Sequence, residues 1–166
     1  MSESQNLIHT DAIAKMKHIA GGEIAMLCTF EDGAMYPRPM ATSGIDDDGT
    51  FWFMSRRDSL ENGQLRADSR AHLIYAVPSR SEYLSLEGTA IITRDQAKID
   101  ALWSPFAKTW FHEGPTDPLL TLIKFTPKRG HYWDTKHGKM VQLAGIAIGA
   151  LTGKELDDGI EGTLQL

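Results

Sequence analysis

Residues 25–61 have the sequence AMLCTFEDGAMYPRPMATSGIDDDGTFWFMSRRDSLE, which predicts three strands joined by tight turns and then the start of a helix. The predicted strands are residues 24–30, 36–42 and 50–55, and the turns that join them are residues 31–33 and 46–49. Both turns end in an Asp-Gly pair between apolar, β-branched or aromatic runs, and glycine accepts the positive φ angle that hairpin turns require. The stretch therefore predicts a domain built on β-hairpins.

The second of these strands contains an arginine between two prolines. Pro37 and Pro39 have no backbone N–H group to donate, so we expect this strand at a sheet edge or interrupted there. Arg38 would then lie on stiff backbone beside unpaired sheet positions, where its cation could receive an anionic ligand. A plain edge strand with a solvated arginine explains the same residues, and residue chemistry alone favours that simpler interpretation.

Length, charge and cysteine content limit the class of protein. A chain of 166 residues is expected to form one domain, with residues 1–9 and 155–166 as loose tails, the second of them either strand-like or disordered. The net charge of −5 and the scattered basic residues argue against a nucleic-acid binder. Cys28 is the single cysteine, so no internal disulfide forms, and its apolar strand predicts a buried, inert thiol.

The location of the protein is expected to be cytoplasmic. The N-terminus is polar and acidic and has no apolar segment typical of a signal peptide. The longest apolar-rich run, residues 143–151, is much shorter than the roughly 20 residues that a membrane span needs. Neither a membrane nor a nucleic acid is therefore predicted as a partner.

The rest of the chain adds helices and further strands. Predicted helices cover residues 11–20, 60–67, 96–103, 105–111 and 140–151, with Thr10, Ser59 and Asp95 as caps of the first three. Predicted strands cover residues 71–77, 83–93, 120–126 and 131–135, with a turn at 127–130 and a bend or bulge at Gly88. About six mostly antiparallel strands with inserted helices predict a small barrel in preference to a sandwich.

The sequence predicts neither a metal site nor a hydrolase active site. His131, Asp134 and His137 are spaced by threes, but a strand sends the first two to opposite faces, so no metal site is predicted. No Gly-x-Ser-x-Gly motif occurs, so hydrolase chemistry is not indicated.

Several short stretches together resemble a known family. In order, they are residues 26–29, 38–40, 52–55, 58–59, 65–68, 102–103, 110–114, 117–118 and 132–134. Their order and spacing over residues 10–160 are similar to the general stress protein 26 group of the pyridoxamine 5′-phosphate oxidase-like superfamily, the FMN-binding split barrels. The fold that this resemblance implies is mainly β with α: a six-stranded antiparallel split β-barrel with flanking helices.

The resemblance also implies a homodimer with one FMN in each of two clefts at the shared interface. In this family the phosphate and ribityl contacts begin at the arginine that matches Arg38, and the ring contacts come from that strand and the strand that ends at Ser55. The residues that we expect to bind FMN on this basis are Arg38, Pro39, Met40, Ala41, Met54, Ser55, Arg57, Ser59, Tyr83, Trp110 and Trp133.

The chain departs from the pattern of the superfamily's enzymes at the phosphate. Leu60 and Glu61 stand where those enzymes carry basic residues, and a carboxylate beside a phosphate would repel it. Arg56 or Arg57 could supply the missing charge, which is a hypothesis. Tyr83 stands where oxidase members place a glutamine, and the C-terminal basic segment of true oxidases has no counterpart. Vitamin B6 oxidation is therefore not predicted.

Three functional hypotheses remain open from the sequence. The first is an FMN-dependent oxidoreductase that acts on an unidentified small molecule, with no residue that stands out as catalytic. The second is a carrier or sensor that binds flavin, or another planar anion such as haem, without turnover. The third is a split-barrel dimer that has lost FMN, as Glu61 could indicate.

Overall fold

The structure is a computed structural model that describes residues 3–135 and 159–166 of the chain. Within these residues, three α-helices and two short 3₁₀ helices accompany ten strands. The strands are β1 Glu3–Ser4, β2 Leu7–Ile8, β3 Ile24–Glu31, β4 Ala34–Ala41, β5 Gly44–Ile45, β6 Phe51–Arg56, β7 Arg70–Val77, β8 Glu82–Thr93, β9 Leu120–Thr135 and β10 Gly159–Gln165. The helices are α1 His9–Ala20, α2 Leu60–Ala67 and α3 Gln96–Leu102, with 3₁₀ turns at Pro105–Thr109 and Gly114–Thr116.

The strands form one sheet, and β4 ends one side of it. The main order is β1-β10-β9-β8-β7-β3-β4, and β6 joins β9 away from this path. The expected edge position of the strand with Arg38 is therefore confirmed for the described residues. The tight turn between β3 and β4 is confirmed as well, since Asp32 and Gly33 have φ angles of 51° and 79°. The second predicted turn joins β5 to β6, and β6 pairs with β5 and β9.

Strand β9 is the branch point that splits the sheet. Its first half pairs with β6 and its second half with β10, while β8 pairs along both halves. The expected turn at residues 127–130 is wrong, because β9 continues through it. Pro127, the first residue of the expected turn, instead lies opposite the predicted bulge, where the register shifts between Glu87 and Gly88. A Cβ on Gly88 would overlap the carbonyl oxygen of Thr126 and lie 2.9 Å from the Cα of Pro127, so the close approach requires glycine there.

The chain ends are more ordered than the sequence indicated. Residues 159–165 form β10, in agreement with the strand-like alternative for this tail, whereas the expectation of a loose N-terminal tail fails for β1 and β2, which pair in parallel with β10. The side chain of Leu164 is fully buried, and the hydroxyl of Tyr132 donates to the carbonyl of Gln5 at 2.7 Å, so burial and hydrogen bonding hold both ends. The predicted helix at residues 140–151 lies outside the described residues.

Two of the three predicted helix caps are present. The side chains of Ser59 and Asp95 accept hydrogen bonds from the backbone N–H groups of Asn62 and Lys98. The first helix begins two residues earlier than expected, at His9, with Ile8 as an N-cap that lacks a side-chain hydrogen bond, so the predicted cap at Thr10 is wrong. None of the helices in the described residues has the length and apolar character needed to cross a membrane.

Two hydrophobic cores lie on opposite sides of the β6–β9 pair. The main core packs α1 against the inner face of the sheet, where its members include Met16, Leu73 and Phe125. The second core joins α3 and the following 3₁₀ turn to the other face, through Trp52 and Ile99. The predicted class, mainly β with flanking helices, is confirmed. The second core also holds the segment after α3 beside the ends of β4 and β6.

The free cysteine is part of the buried structure. Cys28 lies in β3 and is fully buried, as its apolar strand predicted. Burial raises the pKa of its thiol, and the nearby charge of Arg38 acts in the opposite direction. The thiol is therefore held in its neutral, unreactive form at neutral pH.

Candidate functional site

A cavity of about 500 Å³ opens between the second half of β4, the end of β6, the start of α2 and the segment after α3. This volume lies within the range of roughly 300–1,000 Å³ that is usual for small-molecule sites. The residues that line the cavity are Pro39, Met40, Ala41, Thr42, Ser43, Met54, Ser55, Arg56, Ser59, Glu61, Leu102, Ser104, Phe106, Ala107, Trp110 and Phe111.

One wall of the cavity is aromatic. The rings of Phe106 and Trp110 meet edge to face with centroids 4.8 Å apart, and these side chains are 63% and 51% exposed. Their position follows from the 3₁₀ turn, because Ala107 and Phe111 of the same segment are buried in the second core. Anchoring one side of the turn leaves the other side to face the cavity, where a flat aromatic ligand could pack against it.

A polar cluster lies behind Ser55 and Arg56, which line the cavity. The hydroxyl of Thr121 donates to the carbonyl of Ser55 at 3.0 Å, and the two hydroxyls lie 2.9 Å apart. The amide of Asn62 donates to the carbonyl of Arg56 at 2.8 Å and to the hydroxyl of Thr121 at 2.9 Å. These bonds hold the start of α2 against the end of β6. The hydroxyl of Ser55 is therefore already used within the protein.

One arginine reaches the cavity and is already paired. Arg56 contacts both oxygens of Asp58, at 3.1 and 3.0 Å, and these hydrogen bonds hold the pKa of the Asp58 carboxyl below its usual value. Arg57 does not line the cavity, and its backbone N–H donates to the carbonyl of Leu119. Of the two arginines that could compensate for Glu61, Arg56 is the one placed to do so.

Arg38 lies behind the cavity wall in an ion pair with Glu61. Its Nη1 donates to Oε2 of Glu61 at 2.8 Å, and the two side chains are only 18% and 15% exposed. Its Nη2 donates to Gln64 at 2.7 Å and to the hydroxyl of Thr29 at 3.1 Å. The amide of Gln64 in turn donates to Glu31 at 3.1 Å. The guanidinium of Arg38 is therefore bound by two side chains of α2, and one of them, Glu61, lines the cavity.

The structure brings most of the sequence-predicted residues together. Seven of them line the cavity: Pro39, Met40, Ala41, Met54, Ser55, Ser59 and Trp110. Arg38 is one layer back, Arg57 lies outside, and Tyr83 and Trp133 lie directly opposite each other on β8 and β9 without lining it. Sequence reasoning missed Leu102, Ser104 and Phe106. The four-residue spacing of Phe106 and Trp110 was the signal that could have placed both on one side of a helical turn.

The outer face of the sheet carries a second notable feature, an apolar patch. Its residues are Ile24, Met26, Ile74, Tyr83 and Trp133, which we call the outer apolar face, and all are at least 38% exposed. Met26 is the direct partner of Ile74 across β3 and β7, and it is also the partner of Pro39 on β4. The patch therefore extends from the edge of the cavity across four neighbouring strands to Trp133.

Comparisons with known proteins show the family and the fold of the chain. The family model described as pyridoxamine 5′-phosphate oxidase like matches residues 11–157. The protein bli-3 of Neurospora crassa is 24% identical over 131 residues, which are 74% of this chain and 63% of that protein. The chain thus spans less than two thirds of the length of this curated relative.

Solved structures give the same family context. A general stress protein 26 from Jannaschia sp. CCS1 is similar with a TM-score of 0.77 and 26% identity, over 94% of this chain and 99% of that one. A general stress FMN/FAD binding protein from Xanthomonas citri is similar with a TM-score of 0.63 and 26% identity, over 74% of this chain and 87% of that one.

Proposed function

The chain belongs to the pyridoxamine 5′-phosphate oxidase-like family, and on that premise we propose that it is a cytoplasmic, homodimeric flavoprotein. The cavity beside β4 holds the isoalloxazine ring of FMN or a related flavin. When bound, the flavin would supply electron transfer to an unidentified small molecule, and residues of this chain would bind and orient it. The observation that carries the proposal is the cavity itself, which gathers seven of the expected contacts in one place.

The lining of the cavity supports a tricyclic ring. Trp110 and Phe106 form an aromatic wall, and Met54 adds an apolar side chain from β6. Since β4 is an edge strand of the described sheet, backbone C=O groups on its free side point away from β3 and can meet the polar edge of a ring, although Pro37 and Pro39 add no N–H donors there. The hydroxyls of Ser43 and Ser104 are neutral partners for a ribityl chain. The fit is poorer at the phosphate, where Glu61 lines the same cavity.

The outer apolar face supports the proposed homodimer. Exposed apolar residues that continue across several strands are typical of protein interfaces, and this patch reaches the edge of the cavity at Pro39. Tyr83 and Trp133 lie on the patch and away from the cavity of their own chain. We therefore assign their contact with the flavin to the second copy, whose cavity they would help to close.

Replacing Trp110 with alanine is expected to weaken flavin binding about tenfold, because a stacked aromatic contact is worth about 1.4 kcal/mol. Trp110 is half exposed, so the variant should unfold at nearly the wild-type temperature. The measurement is quenching of flavin fluorescence on titration with apoprotein. The variant W110F keeps a ring at this position and should retain most of the affinity.

The same titration tests the proposal as a whole. An unchanged affinity in W110A would place the flavin outside the cavity. A wild-type protein that binds neither FMN nor riboflavin would contradict flavin binding and favour a split barrel without a cofactor. For the bound protein, anaerobic reduction by NADH or NADPH and reoxidation by candidate acceptors separates an oxidoreductase from a carrier.

A further inference from the structure

The charges at the cavity are already balanced by the protein itself. Arg56 and Glu61 are the charged side chains among the described residues that line it, and they carry opposite signs. Arg56 is bound to Asp58, and Glu61 is bound to Arg38. The cation on the described cavity wall, Arg56, is about half exposed and already paired with Asp58, so it offers an anionic ligand only a weak, solvent-screened contact.

A phosphate group would have to disturb the buried pair of Arg38 and Glu61. A phosphate carries about −1.5 to −2 charges at neutral pH, so it is repelled by a carboxylate a few ångströms away. If the phosphate instead took Arg38 as its partner, Glu61 would remain largely buried without its cation, which is strongly unfavourable. The hydrogen bonds from Arg38 to Gln64 and Thr29 further hold the guanidinium in place.

The start of α2 does not offer a replacement anion site. Its positive end is already met by Glu61 in the first turn, and the hydroxyl of Ser59 caps the N–H of Asn62. The other polar groups at the cavity wall, such as the hydroxyls of Ser43 and Ser104, are neutral. The ring and the ribityl chain therefore meet compatible surfaces, and the phosphate does not.

We propose that Glu61 makes this cavity selective for uncharged flavins, so that riboflavin binds at least as tightly as FMN. The inference rests on the proposed flavin site and names the chemical class of its ligand. Glu61 acts as a specificity-determining residue: its carboxylate removes the affinity that a flavin phosphate would otherwise gain from Arg38.

The experiment compares riboflavin and FMN as ligands of wild type and E61Q, by fluorescence titration at one fixed, low ionic strength. Glutamine keeps an oxygen that can accept from Arg38 but removes the negative charge. We expect wild type to bind riboflavin as tightly as FMN or more tightly. In E61Q, FMN affinity should rise about tenfold while riboflavin affinity stays within about twofold.

The matched control is E31Q, which makes the same substitution at an exposed carboxylate of the same hydrogen-bond network that does not line the cavity. Its ratio of FMN to riboflavin affinity should equal that of wild type. A wild-type protein that binds FMN more than about tenfold tighter than riboflavin overturns the inference even if E61Q fails to fold. An unchanged ratio in folded E61Q overturns it as well. If neither flavin binds to any variant, the proposed flavin site itself is wrong.

Discussion

Replacing Ile74 with aspartate should convert the proposed homodimer to monomers and lower flavin affinity at least tenfold. Ile74 lies in the middle of the outer apolar face, opposite Met26, and its side chain is 42% exposed in the single chain. In the dimer an aspartate there would be a buried charge without a partner, which costs about 3 kcal/mol or more, or roughly a hundredfold in dimer affinity. Sedimentation velocity at micromolar concentration measures the change.

A matched control is available on the neighbouring strand. Ile91 of β8 is 56% exposed but does not belong to the outer apolar face, so I91D should remain dimeric and bind flavin like wild type. Equal masses for I74D and wild type would contradict the proposed interface. Monomeric I74D with undiminished flavin affinity would instead contradict the contribution of Tyr83 and Trp133 from the second copy.

Replacing Phe125 with alanine should lower the free energy of unfolding by about 3–5 kcal/mol. Phe125 is fully buried in the main core and packs edge to face with Phe51 at 6.1 Å. It lies on β9 between its partners Phe51 on β6 and Ala90 on β8, so the cavity left behind lies at the branch point of the sheet. A loss of this size is a large part of the roughly 5–15 kcal/mol that stabilises a typical domain.

Urea denaturation followed by circular dichroism measures this loss, at one fixed protein concentration because the proposed dimer would contribute to stability. The matched control is F106A, since Phe106 is 63% exposed and should cost less than about 1 kcal/mol. Equal denaturation midpoints for F125A and F106A would show that packing of Phe125 at the branch point contributes little to the free energy of unfolding.

The parts of the fold that local chemistry determines could be predicted from the sequence. The Asp-Gly turn after β3, the edge position of the proline-flanked Arg38 and the caps at Ser59 and Asp95 each follow from backbone properties of a few neighbouring residues. The turn expected at residues 127–130 is wrong because it depends on a distant part of the chain. A proline and a glycine indicated a turn, but Pro127 faces the bulge at Gly88 on another strand, and only the pairing of β8 with β9 reveals this.

The candidate site shows the same limit. The sequence identified Glu61 as an unusual residue at the phosphate, but not that it is bound to Arg38, because the two are 23 positions apart and meet only because α2 packs on β3, the strand that pairs with β4. Tyr83 and Trp133 are a related case. The resemblance placed both at the flavin, yet they lie away from the cavity of their own chain, and the proposed contact across two copies would leave no trace in the spacing of one sequence.

Two copies of this chain are expected to bind flavin together in the cavity beside β4. Sedimentation equilibrium of the wild-type protein with added riboflavin, followed at both protein and flavin absorbance, tests this expectation most directly. We predict that flavin sediments with a species of twice the 18.4 kDa chain mass, at one flavin per chain. Flavin that stays free while the protein sediments as a single 18.4 kDa chain would contradict it.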